Sequence, residues 1–270
     1  MVSFCPGTHG GSENRKYGGD MELIILGSGT CVPSLTRGSP ASVVRTKDRI
    51  LLIDSGSGTL ERLLKVDIAI HDVDMILYTH IHPDHVADLV PFLFASKYDW
   101  EPRYRDLTIM GGKGFSAFFQ KLLDLYGNWI QSDLFSTHII ESGDETHEYP
   151  GFRIVTKPMA HLPMSVAFRI ETDDGRAMVL SGDTDYNSNL VELAADADLL
   201  VLESALPDEK KVEGHLSPSV AGRIATESGC KRLVLTHLYP ICEAFDIRGQ
   251  CASAYGGPFE IARDLMRLQV

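Results

Sequence analysis

The heptapeptide Thr79-His80-Ile81-His82-Pro83-Asp84-His85 constrains this chain more than any other stretch. It sets three imidazoles and one carboxylate within six positions, directly after an apolar run that begins at Met75. In extended backbone, residues two apart project to the same side, so His80 and His82 can hold one metal ion. Asp84 and His85 begin the next helix and face a second ion, with Pro83 stiffening the turn between the pairs. Four donors cannot complete two coordination spheres. A fold that uses them must therefore bring more from distant segments.

Three such donors stand at the ends of apolar runs. His161 follows Phe152–Thr156, Asp183 ends Leu180-Ser181-Gly182-Asp183, and His237 ends Leu233-Val234-Leu235-Thr236-His237. Any one of them alone reads as an ordinary surface or core residue. Together they sit where strand ends collect side chains at one rim of a sheet, and a carboxylate such as Asp183 can bridge two cations as a single imidazole cannot.

The rest of the chain supports that architecture. Runs rich in apolar and β-branched residues recur at 22–26, 42–45, 50–53, 75–79, 107–110, 166–170, 178–180, 199–202 and 233–235. Amphipathic stretches lie among them at 60–64, 85–96, 115–125 and 219–228. Early strands follow one another through short turns and later ones alternate with helices, which predicts an α/β fold with mixed sheets. Residues 1–20 read as a loose leader and 21–270 as one domain, which a chain of 270 residues and 29.7 kDa can accommodate. The weakly periodic stretch from Gly127 to Gly151 reads as an irregular insertion or lid.

Other motifs fail. Gly27-Ser28-Gly29 follows a strand, but Val32 occupies the third glycine position of a dinucleotide fingerprint and Pro33 blocks an immediate helix. Met110-Gly111-Gly112-Lys113-Gly114 lacks phosphate-loop spacing and reads as a strand-to-helix turn. Ser57 is one residue out of register for a nucleophile elbow.

Twenty-five Lys and Arg against 37 Asp and Glu leave a formal charge of -12, which disfavours broad electrostatic capture of nucleic acid. Five cysteines without a C-x-x-C pair fit a reducing compartment. No stretch is apolar enough for a signal peptide or a membrane span, so the expected location is cytoplasmic, away from membranes.

The donor set resembles the metallo-β-lactamase superfamily, whose five motifs match His80/His82/Asp84/His85, His161, Asp183 and His237. Within it the chain is most similar to ribonuclease Z, from 21-MELIILGSG-29 through 53-IDSGSGT-59 to 262-ARDLM-266. More specific matches are His161-x3-Ser165-x2-Phe168-Arg169, Ser181-Gly182-Asp183-Thr184, and Leu202-Glu203-Ser204-Ala205 followed by Gly214-His215-Leu216-Ser217. The resemblance implies a four-layer αβ/βα sandwich with two mixed sheets and two metals at one edge. It implies one zinc on His80, His82 and His161, another on Asp84, His85 and His237, Asp183 bridging, and a hydroxide between the ions as nucleophile. Manganese or iron(II) are alternatives to zinc. Asp84, His215 and Glu203 form the implied catalytic set, His215 approaching the scissile phosphate or leaving oxygen and Glu203 orienting it.

Ribonuclease Z also carries a long arm, between the positions of His161 and Asp183, that grips transfer RNA. Here those residues are 22 apart, which leaves room only for a hairpin turned at Asp173-Asp174-Gly175. The loop after the first strand keeps Arg37 but not the family's lysine and asparagine. The expected function is therefore a dinuclear metal-dependent hydrolase of small phosphodiesters, and the resemblance implies a homodimer. Processing of a transfer-RNA 3′ end, or hydrolysis of a thioester, lactam or sulfate ester, stays open.

Overall fold

A computed structural model describes residues 21–270; the expected leader lies outside the described residues. Strands β1 (Met21–Gly27), β2 (Ala41–Thr46), β3 (Ile50–Ile53), β4 (Met75–Leu77), β5 (Leu107–Gly112) and β6 (Thr137–Ser142) build one sheet. Strands β7 (Glu145–Tyr149), β8 (Phe152–Pro158), β9 (Val166–Thr172), β10 (Ala177–Leu180), β11 (Leu199–Glu203), β12 (Leu233–Thr236) and β13 (Phe259–Ile261) build the second. The last strand, β14 (Met266–Gln269), returns to pair antiparallel with β1. Both sheets are mixed. The first is antiparallel over β14-β1-β2-β3 and parallel over β3-β4-β5-β6; the second is antiparallel over β7-β8-β9-β10 and parallel over β10-β11-β12-β13.

Side-chain alternation explains the layering. Along β1, Met21, Leu23 and Ile25 point to the other sheet, where they join Phe152, Ile154, Phe168 and Met178. Ile24 and Leu26 point the other way, to Leu63 of α1 (Thr59–Lys65), past the short α2 (Pro83–Val86), to Phe92 of α3 (Leu89–Tyr98) and Phe119 of α4 (Phe115–Tyr126). In the second sheet Val179, Leu200 and Leu233 likewise pack on α5 (Ser188–Leu193), α6 (Pro218–Ser228) and α7 (Ile247–Ala252). Strands buried on both faces need apolar residues at every position, which is why β3 reads Ile-Leu-Leu-Ile. The result is the expected αβ/βα sandwich.

Two readings of the sequence need correction. Residues 127–151 are not an irregular insertion: a short 3-10 turn at Gly127–Trp129 leads into β6 and β7, the edge strands through which the chain passes from one sheet to the other. The helix expected over 85–96 is broken into α2 and α3. Its backbone is diverted there, because Ser55 N–H donates to the His85 carbonyl and Asp88 N–H to the Ser55 carbonyl. The Asp88 carboxylate also accepts the N–H of Leu60, tying this break to α1.

Candidate metal centre

The sandwich delivers its donors to one rim because parallel strands end together there. His80, His82, Asp84 and His85 lie in the β4–α2 turn and on α2, His161 in the β8–β9 loop, Asp183 just after β10, and His237 just after β12. The structure brings all seven sequence-expected ligands together in two groups. His80, His82, His161 and Asp183 place one donor atom each within 4.8 Å of one another, and so do Asp84, His85 and His237.

Asp183 stands between the groups. Its Oδ2 is 3.7 Å from His80 Nε2 and 3.9 Å from His161 Nε2, while Oδ1 is 3.4 Å from both His85 Nε2 and His237 Nε2. The buried atoms His80 Nε2 and Asp183 Oδ1 have no hydrogen-bond partner. Polar atoms so deeply placed normally find one, and a cation shared by these donors would satisfy both. The side chains present fit divalent metals on that ground.

Hydrogen bonds at the opposite ring nitrogens set the tautomers. His161 Nδ1 lies 2.9 Å from the Gly214 carbonyl, to which it must donate, so its Nε2 lone pair faces the cluster. Thr79 Oγ1 donates to Asp54 Oδ2 at 2.9 Å and can therefore accept from His80 Nδ1 at 3.0 Å. Asp54 Oδ2 also lies 2.8 Å from His85 Nδ1. One buried carboxylate thus orients two imidazoles, an arrangement typical of metal-binding histidines.

Electrostatics match this reading. Burial, helped by the neighbouring His85, pushes the His80 imidazole down to about 2, so it stays neutral. Burial opposes charge on His85, yet Asp183 and Asp54 outweigh it and hold its pKa well above the ordinary value. Burial also works against ionisation of Asp84, but its hydrogen bond with His237 prevails and brings it to about 2. Asp183 is held well below the usual carboxylate range by His237 and His85 despite full burial. Carboxylates stay ionised where cations would sit.

Local backbone geometry serves the same end. Asp54 and His237 both adopt left-handed φ, 56° and 57°, which is uncommon outside glycine and tends to mark functional sites. Gly182 has φ +58°, and a Cβ there would lie 2.4 Å from Thr79 Cβ, so only glycine lets β10 turn Asp183 into the cluster.

The second expected pair is also formed. His215 Nδ1 lies 3.0 Å from Glu203 Oε1, and Glu203 further accepts the N–H groups of Thr184 and Ala205. Burial lowers the His215 pKa, but the bond to Glu203 outweighs it and raises the imidazole above its ordinary value. His215 also falls within 4.8 Å of donors on Asp183 and His237. Asp185 accepts from Lys211 Nζ at 2.9 Å and from Gly214 N–H at 3.1 Å, fixing the segment that carries His215.

Asp54, Thr79, the Gly214 carbonyl and Asp185 were missed as functional parts. Asp54 alone carried a signal, as an acid at the end of a buried strand. Arg37 serves the scaffold: its guanidinium donates to Ser28 Oγ at 2.9 Å and to the Ala262 carbonyl at 2.7 Å. The interval between His161 and Asp183 holds only β9, a short turn and β10, as the spacing predicts.

Comparison with known proteins gives the family. A family model described as a beta-lactamase superfamily domain matches residues 49–238. Ribonuclease Z of Mycobacterium bovis (strain BCG / Pasteur 1173P2) is 30% identical, with 93% of this chain and 98% of the relative covered. The metallo-beta-lactamase fold protein YhfI of Bacillus subtilis superposes with a TM-score of 0.80 at 26% identity, covering 92% of this chain and 98% of that one. The short form of human tRNase Z superposes at 0.73 with 24% identity, over 92% of this chain and 99% of its own, a likeness of fold. The chain belongs to the metallo-β-lactamase superfamily and is, within it, a ribonuclease Z-like metal-dependent hydrolase.

Proposed function

We propose that residues 21–270 form one phosphodiester hydrolase domain that binds two divalent ions, zinc by preference because imidazoles dominate the donors. The observation that carries this reading is the division of the Asp183 oxygens between two groups of donors, the pattern of a bridging carboxylate. His80, His82 and His161 would hold one ion and Asp84, His85 and His237 the other; manganese or iron(II) suit the mixed set less well. Bound ions supply Lewis acidity toward phosphate oxygens and lower the pKa of water.

The chain's own residues do the rest. Asp54 and Thr79 fix the rings of His85 and His80, and the Gly214 carbonyl fixes His161. Asp84 keeps one carboxylate oxygen without a partner among the described residues, and we assign it as acceptor of a proton from the attacking water. Glu203 engages His215 at Nδ1, leaving Nε2 to donate a proton to the departing oxygen. Concentrating positive charge in bound ions also reconciles a chain of net charge -12 with an anionic substrate.

The ribonuclease Z relatives favour a second reading, in which the substrate is an RNA 3′ end. The short β9–β10 interval argues for a small diester instead. Among the described residues no helix is long and apolar enough to cross a membrane. We assign the protein to the cytoplasm as a homodimer, with the exposed Phe94, Tyr98 and Trp129 cluster as the surface offered to a second copy.

The test is a panel of bis(p-nitrophenyl) phosphate, a precursor transfer RNA, an aryl sulfate, a lactam and a thioester, run with metal analysis and light scattering. Turnover of the phosphodiester above all others is expected. Preference for the thioester, lactam or sulfate overturns the assignment, and efficient precursor processing favours the RNA reading.

A further inference from the structure

The segment after His237 turns sharply and places Tyr239 at the edge of the metal centre. Its backbone N–H donates to the Ala205 carbonyl, two residues beyond Glu203. The Tyr239 ring centroid lies 6.2 Å from that of His237 at an interplanar angle of 75°, and His237 is in turn 6.0 Å from His215, nearly parallel to it. The phenol hydroxyl lies at the end of a ring set edge-on to His237. That hydroxyl makes no hydrogen bond to any described residue, and the side chain is only half buried. A reachable donor thus stands beside His237 with no described residue to receive it.

Aliphatic side chains stand on the adjoining segments. The β1–β2 loop packs against this segment, with the Ser28 carbonyl accepting from Leu238 N–H at 3.0 Å and Thr36 Oγ1 donating to Glu243 Oε1 at 3.2 Å. Val32, Leu35 and Ile241 are exposed on the two segments. Arg37, the one basic residue within 28–39 and 238–244, is committed to Ser28 and Ala262. These two segments offer an aromatic ring, aliphatic side chains and a hydroxyl, and no uncommitted basic side chain of their own.

We propose that Tyr239 is a substrate-contacting residue whose hydroxyl donates a hydrogen bond to a phosphoryl oxygen of a small phosphodiester, and whose ring receives an uncharged aromatic substituent of that diester. This rests on the phosphodiesterase reading and narrows it. A polyphosphate or polynucleotide chain continuing past the scissile phosphate over these two segments meets no uncommitted basic side chain of theirs. A flat apolar group such as an aryl ring or a base finds a surface to lie against.

The experiment measures binding to the zinc-loaded protein by calorimetry, with two monoanions that cannot be hydrolysed, diphenylphosphinate and dimethylphosphinate. Wild type should bind the diphenyl probe more tightly. Tyr239→Phe should weaken both probes by about tenfold, the size of one hydrogen bond to a charged acceptor, with metal content and Tm retained. Tyr239→Leu should in addition erase the preference for the diphenyl probe. Affinities for Tyr239→Phe within twofold of wild type overturn the hydrogen bond, and equal binding of both probes by wild type overturns the aromatic contact. If neither probe binds fully loaded wild type, the phosphodiesterase reading falls and this inference with it.

Discussion

Asp54 Oδ2 lies 2.8 Å from Nδ1 of His85, with both side chains almost wholly removed from solvent, and the same oxygen receives the Thr79 hydroxyl that supports His80. Asp54→Asn keeps the shape, and asparagine tolerates the left-handed backbone there. It replaces one charged acceptor with an amide that cannot satisfy both neighbours. Zinc affinity is expected to fall by roughly 10- to 100-fold with the fold intact. Zinc titration alongside circular dichroism measures this, and unchanged affinity would show that the ring is oriented by other contacts.

Removal of metal should abolish hydrolysis and lower thermal stability together, because the donors come from four separate segments and no described residue satisfies His80 Nε2 and Asp183 Oδ1. Dialysis against a chelator followed by zinc should restore both. Asp183→Ala should reduce occupancy in both donor groups. Elemental analysis giving two ions per chain in that variant would mean that another group bridges.

His215→Ala should leave both ions bound and lower kcat by roughly 10^2 to 10^4. Alkyl phosphodiesters, whose leaving oxygen needs a proton, should suffer more than activated aryl ones. Comparable losses on both would assign His215 to stabilising the phosphate. Loss of an ion would place His215 among the ligands with Asp183 and His237.

Acid should weaken the β8–β9 pairing through Glu171. Partial burial works to raise its pKa, but hydrogen bonds from Arg169, at 2.6 Å, and from Arg153 prevail and depress it. A carboxyl whose folded pKa is depressed stabilises fully above its unfolded value and loses that contribution as pH falls through the folded one. Glu171→Gln should melt roughly 1–3 °C below wild type at pH 7, with the two curves converging as pH falls through the depressed folded value. A constant difference across that range would show that the charge is not what matters.

The readable parts of the sequence were those with no alternative environment. Ile50–Ile53 is apolar at every position and can only be a strand buried on both faces, and His80, His82, Asp84 and His85 crowd donors more tightly than a solvated turn requires. The edge strand β7 was illegible because Glu-Thr-His-Glu-Tyr lies at the margin of its sheet, largely exposed, and needs no apolar run. The break at 87–88 was hidden for a different reason: residues 85–96 have helical character throughout, and what interrupts them is backbone pairing with Ser55, thirty residues earlier in the chain. Asp54 could be seen as an acid at a strand end, but its grip on His85 depends on a register between β3 and β4 that no local pattern encodes.

The seven donors are split by the order in which the chain is made. His80, His82, Asp84 and His85 belong to the half that builds the first sheet, whereas His161, Asp183 and His237 follow the passage into the second. A nascent chain halted after Ser142 holds four donors and lacks the carboxylate that joins them, and each further segment adds one. On the proposed two-ion reading, the donor set is complete only once His237 has been made. Binding of both ions would then depend on the docking of the second sheet upon the first.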